Sequence, residues 1–247
     1  MAVTNEMTFG GISSTTYSVI VAGYGEYGAP RRVVESYSIP GRNGNVTIDQ
    51  GHYENITIKY DIVVHATSHA TFKSTVDAYR NAIVSQLGYQ RLTDTYHTGE
   101  YRMARYAGGF DNEPTFHGSS AVFTIEFDCK PQRFLTTGET ATAVTSGSSI
   151  TNATKFASEP LIEITGDGTL YIGDYSLVLD AGASNPVHID CELMEAYEIN
   201  SSDEIVNRNN LVTYQDGTFP RIEPGANLVT YSGNITAVKI TPRWWTI

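Results

Sequence analysis

From residue 160 to residue 243, short runs of strand-forming residues recur at intervals of roughly ten, and turn signals separate them. The runs are 160–165, 169–172, 175–179, 187–191, 196–199, 211–213, 226–231 and 237–243. Between them stand Gly166-Asp167-Gly168, Asp180-Ala181-Gly182, Asp216-Gly217, Pro224-Gly225 and Ser232-Gly233. Such a rhythm leaves no room for a helix in this half. It fits an antiparallel sandwich or barrel, in which strands of five or so residues are joined by tight turns.

The first half is also strand-rich, with one interruption. Residues 18–23 and 32–39 read as strands, the second alternating Val34, Ser36 and Ser38 against Val33, Glu35, Tyr37 and Ile39. Pro40-Gly41-Arg42-Asn43-Gly44-Asn45 breaks it, with Asn43-Gly44 suited to the positive-φ positions of a tight hairpin. Residues 46–48 resume the strand. Residues 55–64 follow, with Ile56, Ile58, Tyr60 and Ile62 on one face. A helix is expected over 71–87, where Phe72, Val76, Tyr79, Ile83 and Leu87 form one stripe. Ser68 or Thr71 suits its N-cap and Gly88 its end. Strands return at 100–106 and 120–129, the latter with Phe123, Ile125 and Phe127 on one side, and Gly108-Gly109 reads as a turn between them.

Residues 136–153 are Thr, Ser, Gly and Ala with almost no large apolar side chain, the composition of a linker. The chain is therefore expected to hold a domain over 1–135, a linker over 136–153 and a second domain over 154–247. Charge divides the same way. Up to Leu135 there are 13 acidic and 11 basic side chains; beyond it there are 14 and 5. An acidic second half is a poor polyphosphate binder, because nucleic-acid affinity comes largely from Lys and Arg displacing counterions. Cys129 and Cys191 fall in strands of different domains and read as buried free thiols. No secretory leader is expected at Met1–Met7, and no apolar run has the length of a membrane span.

Chemistry-bearing clusters are sparse. His65 and His69 have helical i, i+4 spacing, but a strand ends at His65 before the helix begins, and the Glu of a metalloprotease motif is missing. Asp190, Glu192 and Glu195 could supply a carboxylate pair, but a solvated edge is the expected reading of them. Asp167 and Asp174 could join carbonyls around calcium. Arg31, Arg32, Arg42, Arg102 and Arg105 are scattered basic points. Trp244-Trp245 could present one ring to a sugar, the other turning into the core. No nucleophile elbow or phosphate loop is present, so no enzyme activity, cofactor or metal is expected.

The order of short motifs resembles the distal tail proteins of siphophages. The motifs are Ile39-Pro40-Gly41-Arg42-Asn43-Gly44, Tyr53-Glu54-Asn55 and Phe127-Asp128-Cys129-Lys130-Pro131, then Gly166-Asp167-Gly168-Thr169. Asp190-Cys191-Glu192-Leu193-Met194-Glu195-Ala196-Tyr197, Phe219-Pro220, Pro224-Gly225-Ala226-Asn227 and Thr241-Pro242-Arg243-Trp244-Trp245 follow. The resemblance implies a mainly β protein: an N-terminal tail-tube-like β-sandwich or barrel with one α-helix, then a C-terminal galectin-like antiparallel β-sandwich. It implies a structural virion protein, a homohexamer ring joining the tail-tube protein to the tail tip or baseplate, where tail-associated and receptor-binding proteins attach. Phage DNA would pass through such a ring without being read by sequence. The protein would be made in the host cytoplasm and end in the virion tail. Under this reading Arg42, Asn43, Gly44 and Asn45, with Tyr53, are the expected assembly residues, on a long polar loop over 40–51. The alternative is a carbohydrate-binding module for host cell-wall glycans. The second half lacks the clustered His, Asn, Arg and Trp of a galectin groove, so a docking or spacer module is expected there.

Overall fold

The computed structural model of the protein describes residues 5–23, 25–66, 68–110, 115–117 and 120–247. The expectation about a leader rests partly on residues 1–4, outside this set. Contacts divide the chain into a first unit ending at Arg133, which also takes in Ile247, and a second unit, Phe134–Thr246. No helix among the described residues is long and apolar enough to cross a membrane.

The first unit is built on one antiparallel sheet. Its strands are β1 (Met7–Phe9), β2 (Ile12–Ser13) and β3 (Val19–Ala22). A hairpin of β4 (Arg32–Ser38) and β5 (Asn45–Tyr53) follows, then β6 (Ile56–His65), helix α1 (His69–Val84) and β7 (Gln90–Asp94). The rest are β8 (Glu100–Gly109), β9 (Thr115–His117) and β10 (Ser120–Cys129). The order across the sheet is β2-β1-β7-β8-β10-β6-β3, with β9 on the start of β10. At its centre β10 and β6 pair over ten positions, from Ser120 opposite His65 to Cys129 opposite Ile56. Strict alternation follows: Ala121, Phe123, Ile125, Phe127 and Cys129 are buried on β10, and Ile58, Tyr60, Ile62 and Val64 on β6. Each buried large side chain contributes roughly 1.5–3 kcal/mol relative to exposure. Helix α1 covers this face with Val76, Tyr79 and Ile83.

Helix α1 stops at Val84, before the expected end. Leu87 is 84% exposed beyond it, because the chain leaves the helix before the stripe completes another turn. Gly88, at φ +68°, serves the turn into β7 rather than a cap. The N-terminus is a capping box: Ser68 Oγ accepts from the Thr71 N–H and Thr71 Oγ1 from the Ser68 N–H, both at 3.3 Å. Ser68→Ala is expected to destabilise the protein by about 1 kcal/mol, read as a lowered urea midpoint at unchanged slope.

Gly108 and Gly109 are not a turn. They end β8 at a bulge against β10, where Ile125 and Glu126 lie opposite them. Gly109 has φ +110°, and a Cβ there would lie 2.3 Å from the Thr124 carbonyl oxygen, so the close strand approach requires glycine.

The second unit is an antiparallel sandwich. After β11 (Arg133–Leu135), which begins on the last residue of the first unit, its strands are β12 (Thr142–Val144), β13 (Ser148–Asn152) and β14 (Leu161–Thr165). They continue with β15 (Gly168–Ile172), β16 (Tyr175–Leu179), β17 (Val187–Asp190) and β18 (Glu195–Ile199). The last are β19 (Ile205–Asn207), β20 (Val212–Tyr214), β21 (Gly225–Gly233), β22 (Ala237–Thr241) and β23 (Trp245–Thr246). One sheet runs β12-β22-β14-β17-β18-β19 and the other β13-β21-β15-β16-β20, while β23 pairs with β11. Ile162, Ile164, Ile189, Val238 and Ile240 from the first sheet share a core with Leu170, Ile172, Leu177, Leu179 and Val229 from the second.

The expected linker over 136–153 is overturned here. It holds a 3-10 turn at Thr136–Glu139 and both β12 and β13, each an edge strand of one sheet. Thr142 to Val144 pair with Ile240 to Val238, and Ser148 to Asn152 with Val229 to Gly225. Edge strands face water on much of their surface, so hydroxyl side chains suffice for them, and the composition mimics a linker.

Candidate assembly surface

The expected assembly residues lie on the β4–β5 hairpin, a two-stranded sheet of its own. Arg42, Asn43, Gly44 and Asn45 meet at its exposed tip. Asn43 is not at positive φ; Gly41 (+81°) and Gly44 (+80°) make the turn, and the Arg42 N–H donates to the Ile39 carbonyl at 3.1 Å. The strand expected at 46–48 is longer, running from Asn45 to Tyr53 as β5, so residues 45–51 do not belong to a loop. Tyr53 is therefore not with the tip. It ends β5, eight residues on from Asn45, or about 26 Å along an extended strand. There its ring lies 4.8 Å from the Arg32 guanidinium carbon.

Arg32 also binds Asp49 on the facing strand, with Nε 2.8 and 3.0 Å from the two carboxylate oxygens and Nη2 2.7 Å from Oδ2. That hydrogen bonding, with a further one from the Gly51 N–H, holds the Asp49 carboxyl below its ordinary pKa. The base of the hairpin is thus fixed, while its apolar side chains have little cover. Val34, Tyr37, Ile39 and Ile48 are 43–51% exposed. A two-stranded hairpin with neither face packed is marginal in water. Sequence alternation identifies the strands, but it carries no sign that both faces stay open.

The other candidate residues have local roles. Asp190 is buried rather than solvated: Arg243 Nη1 and Nη2 donate to its two oxygens at 2.7 and 2.8 Å. Glu192 lies 3.6 Å from the same guanidinium, and Glu195 is exposed at the start of β18. His65 Nδ1 lies 2.8 Å from Ser120 Oγ, while the side chain of His69 is outside the described set. Asp167 accepts from Asn234 Nδ2 at 3.0 Å, and Asp174 is exposed. No group of three His, Cys, Asp or Glu side chains gathers among the described residues. Arg102 is buried, and Arg105 binds Asp128 at 2.7 Å. Cys129 and Cys191 are buried and unpaired. Burial raises both thiols, Cys129 to about 12, which leaves them protonated and unreactive at neutral pH.

One polar knot escaped sequence reasoning. Asp94 accepts from the Tyr60 hydroxyl at 2.6 Å, and its other oxygen accepts from the N–H groups of Tyr96 and His97, with His97 Nδ1 at 3.0 Å. The cavity beside it, about 20 Å³, is water-sized. The knot braces the turn between β7 and β8, and its only sequence signal is an Asp followed two residues on by an aromatic pair.

No family model and no curated protein matches the chain. Solved structures do. The Dit (gp 19.1) protein of phage SPP1, described as a paradigm of the hub adsorption apparatus in phages infecting Gram-positive bacteria, superposes with a TM-score of 0.75 at 12% identity, over 99% of this chain and 100% of that one. A chain of the phage P2 baseplate, in its activated conformation with calcium, gives 0.52 at 11% identity, over 97% and 98%. Its strontium-bound counterpart gives 0.52 at 12% identity, over 96% and 97%. Both units, with the exposed β4–β5 hairpin between β3 and β6, therefore share the fold of phage tail hub and baseplate chains over nearly their whole length.

Proposed function

We propose that this chain is a structural subunit of a long-tailed phage, a homohexameric hub joining the tail tube to the tail tip or baseplate. The whole-length match to a hub protein carries the reading. The exposed apolar hairpin supports it. Closed rings bury such surfaces and strand edges against neighbours, which removes an aggregation hazard and satisfies symmetry. In this reading the tip residues Arg42, Asn43, Gly44 and Asn45 reach the neighbouring subunit or an axial partner. Tyr53 steadies the base through Arg32. The tail-tube protein sits on one side of the ring, with tail-associated and receptor-binding proteins on the other. Assembly places the protein in the virion after synthesis in the host cytoplasm.

Negative-stain microscopy of the purified protein, alone at high concentration and mixed with its tail-tube protein, tests this. Six-fold rings with a central hole are the expected result. A protein that stays monomeric in both preparations overturns the proposal.

A further inference from the structure

The segment expected to be a linker forms one side of a groove of about 350 Å³ in the second unit. The volume falls within the range of small-molecule sites, about 300–1,000 Å³. The groove is framed by the two edge strands β12 and β13, by the 3-10 turn ahead of β12, and by Pro242 and Trp244. Hydroxyl groups dominate its polar lining: Thr137, Thr140, Thr142 and Thr145, then Ser148 and Ser149. Val144, Ile150 and the Trp244 indole supply apolar surface. No acidic, basic or histidine side chain lines it.

Trp244 is held in place with unusual care. Arg243, just before it, has φ +54°, a left-handed conformation that costs a non-glycine residue of order 1 kcal/mol or more. The two-pronged Asp190 pair holds that residue, and the Arg243 N–H donates to the Gly138 carbonyl at 2.8 Å. Gly138 sits so close that a Cβ on it would lie 2.3 Å from the Trp244 nitrogen. Trp245 is used differently: its ring stacks on Phe156 at 4.4 Å and its Nε1 donates to the Ala157 carbonyl at 2.9 Å. The left-handed Arg243 thus precedes two adjacent tryptophans with different roles: Trp244 packs against the core and lines the groove, and Trp245 stacks on Phe156.

We infer that this groove binds a neutral saccharide of one to three pyranose units, with Trp244 as the stacking platform. Hydroxyl side chains both donate and accept, which matches a polyol, and an indole face suits the C–H face of a sugar ring. An uncharged lining disfavours phosphate, nucleic acid and charged peptide, whose ionic groups would lose water without finding a counter-charge. The inference does not depend on ring assembly.

Titration of the full-length protein with cellotriose, maltotriose and tri-N-acetylchitotriose, followed by indole fluorescence and by calorimetry, provides the test. At least one trisaccharide is expected to bind saturably, with a dissociation constant on the order of 1 mM or tighter. Trp244→Ala is expected to weaken that binding by about tenfold or more, and Trp244→Phe by less. Because Trp244 also packs on the core, the double variant Thr142→Val/Ser149→Ala provides an independent reading. Both positions are exposed, so the fold should survive while affinity falls several-fold by calorimetry. Three outcomes overturn the inference: no saturable binding of any trisaccharide; equal affinity in wild type and double variant; or binding of an extended uncharged peptide, taken up as an added strand on β12 or β13, with no sugar bound.

Discussion

Glutamate at both Val34 and Ile48 is expected to turn the proposed ring into monomers while leaving the thermal stability of the monomer nearly unchanged. Both side chains are about half exposed on the β4–β5 hairpin, so replacing them removes little packing from the subunit itself. Surface changes of this kind usually stay within about 0.5 kcal/mol. The proposed ring would bury the same side chains against a neighbour, where an unpaired carboxylate costs several kcal/mol. At about 4 kcal/mol per interface the dissociation constant between subunits rises roughly 10³-fold. Light scattering coupled to size exclusion reads the mass, and calorimetry reads the stability. Rings of unchanged mass in the variant would show that the hairpin is not the interface, even if the protein remains a hub. A tip variant, Arg42→Ala with Asn43→Ala, separates the two parts of the hairpin: loss of axial-partner binding with an intact ring assigns the tip to the partner.

How far the sequence anticipates this structure depends on whether a residue's role is local. Alternation on β6 and β10 marks the central pair, because each strand is half buried and its period is visible within ten residues. The stripe of Phe72, Val76, Tyr79 and Ile83 marks the helix for the same reason. Leu87 continues that stripe in sequence but not in space, since the end of a helix is set by the chain's path into β7. Strands β12 and β13 are hidden differently. Their partner positions on β22 and β21 lie 73–98 residues further on, and of the side chains in these two strands only Val144 and Asn152 are buried. The β-branched threonines of Thr140-Ala141-Thr142-Ala143-Val144 are the one signal that could have found them. The candidate site shows the same limit. The tip residues are contiguous and legible, whereas the openness of both hairpin faces and the hydroxyl groove depend on what the tertiary fold leaves uncovered.

The Asp190–Arg243 pair illustrates a long-range role with a large expected effect. The two residues are 53 positions apart, yet their bidentate contact holds the left-handed backbone that precedes both tryptophans. Asp190 also accepts from the N–H groups of Glu192 and Leu193 at 3.1 Å, closing the turn after β17. Asp190→Ala strips the guanidinium of its main counter-charge and leaves those donors unmatched. Losing one partner of a buried pair costs about 3–5 kcal/mol, and the partial exposure of Arg243 and the nearby Glu192 place this case near 3. For a unit of this size that lowers the melting temperature by roughly 10 °C. Asp190→Ala combined with Arg243→Ala is expected to cost less than the sum of the two single changes, because the stranded charge is gone. The pH dependence has a definite sign. Burial alone would raise the Asp190 carboxyl, but the Arg243 hydrogen bonds and charge and the two backbone donors outweigh it, so the folded pKa is depressed. The stabilisation is therefore complete above the unfolded value of about 3.9 and is lost as pH falls through the folded pKa below it. Asp190→Asn keeps the shape and can still accept from the turn, so it should recover part of the loss at pH 7. Its stability should also lack the acid-side decline seen in wild type. Urea midpoints measured from neutral pH down to about pH 3 compare the two. Parallel curves for wild type and Asp190→Asn across that range would show that the ion pair contributes nothing and that the turn alone fixes Arg243.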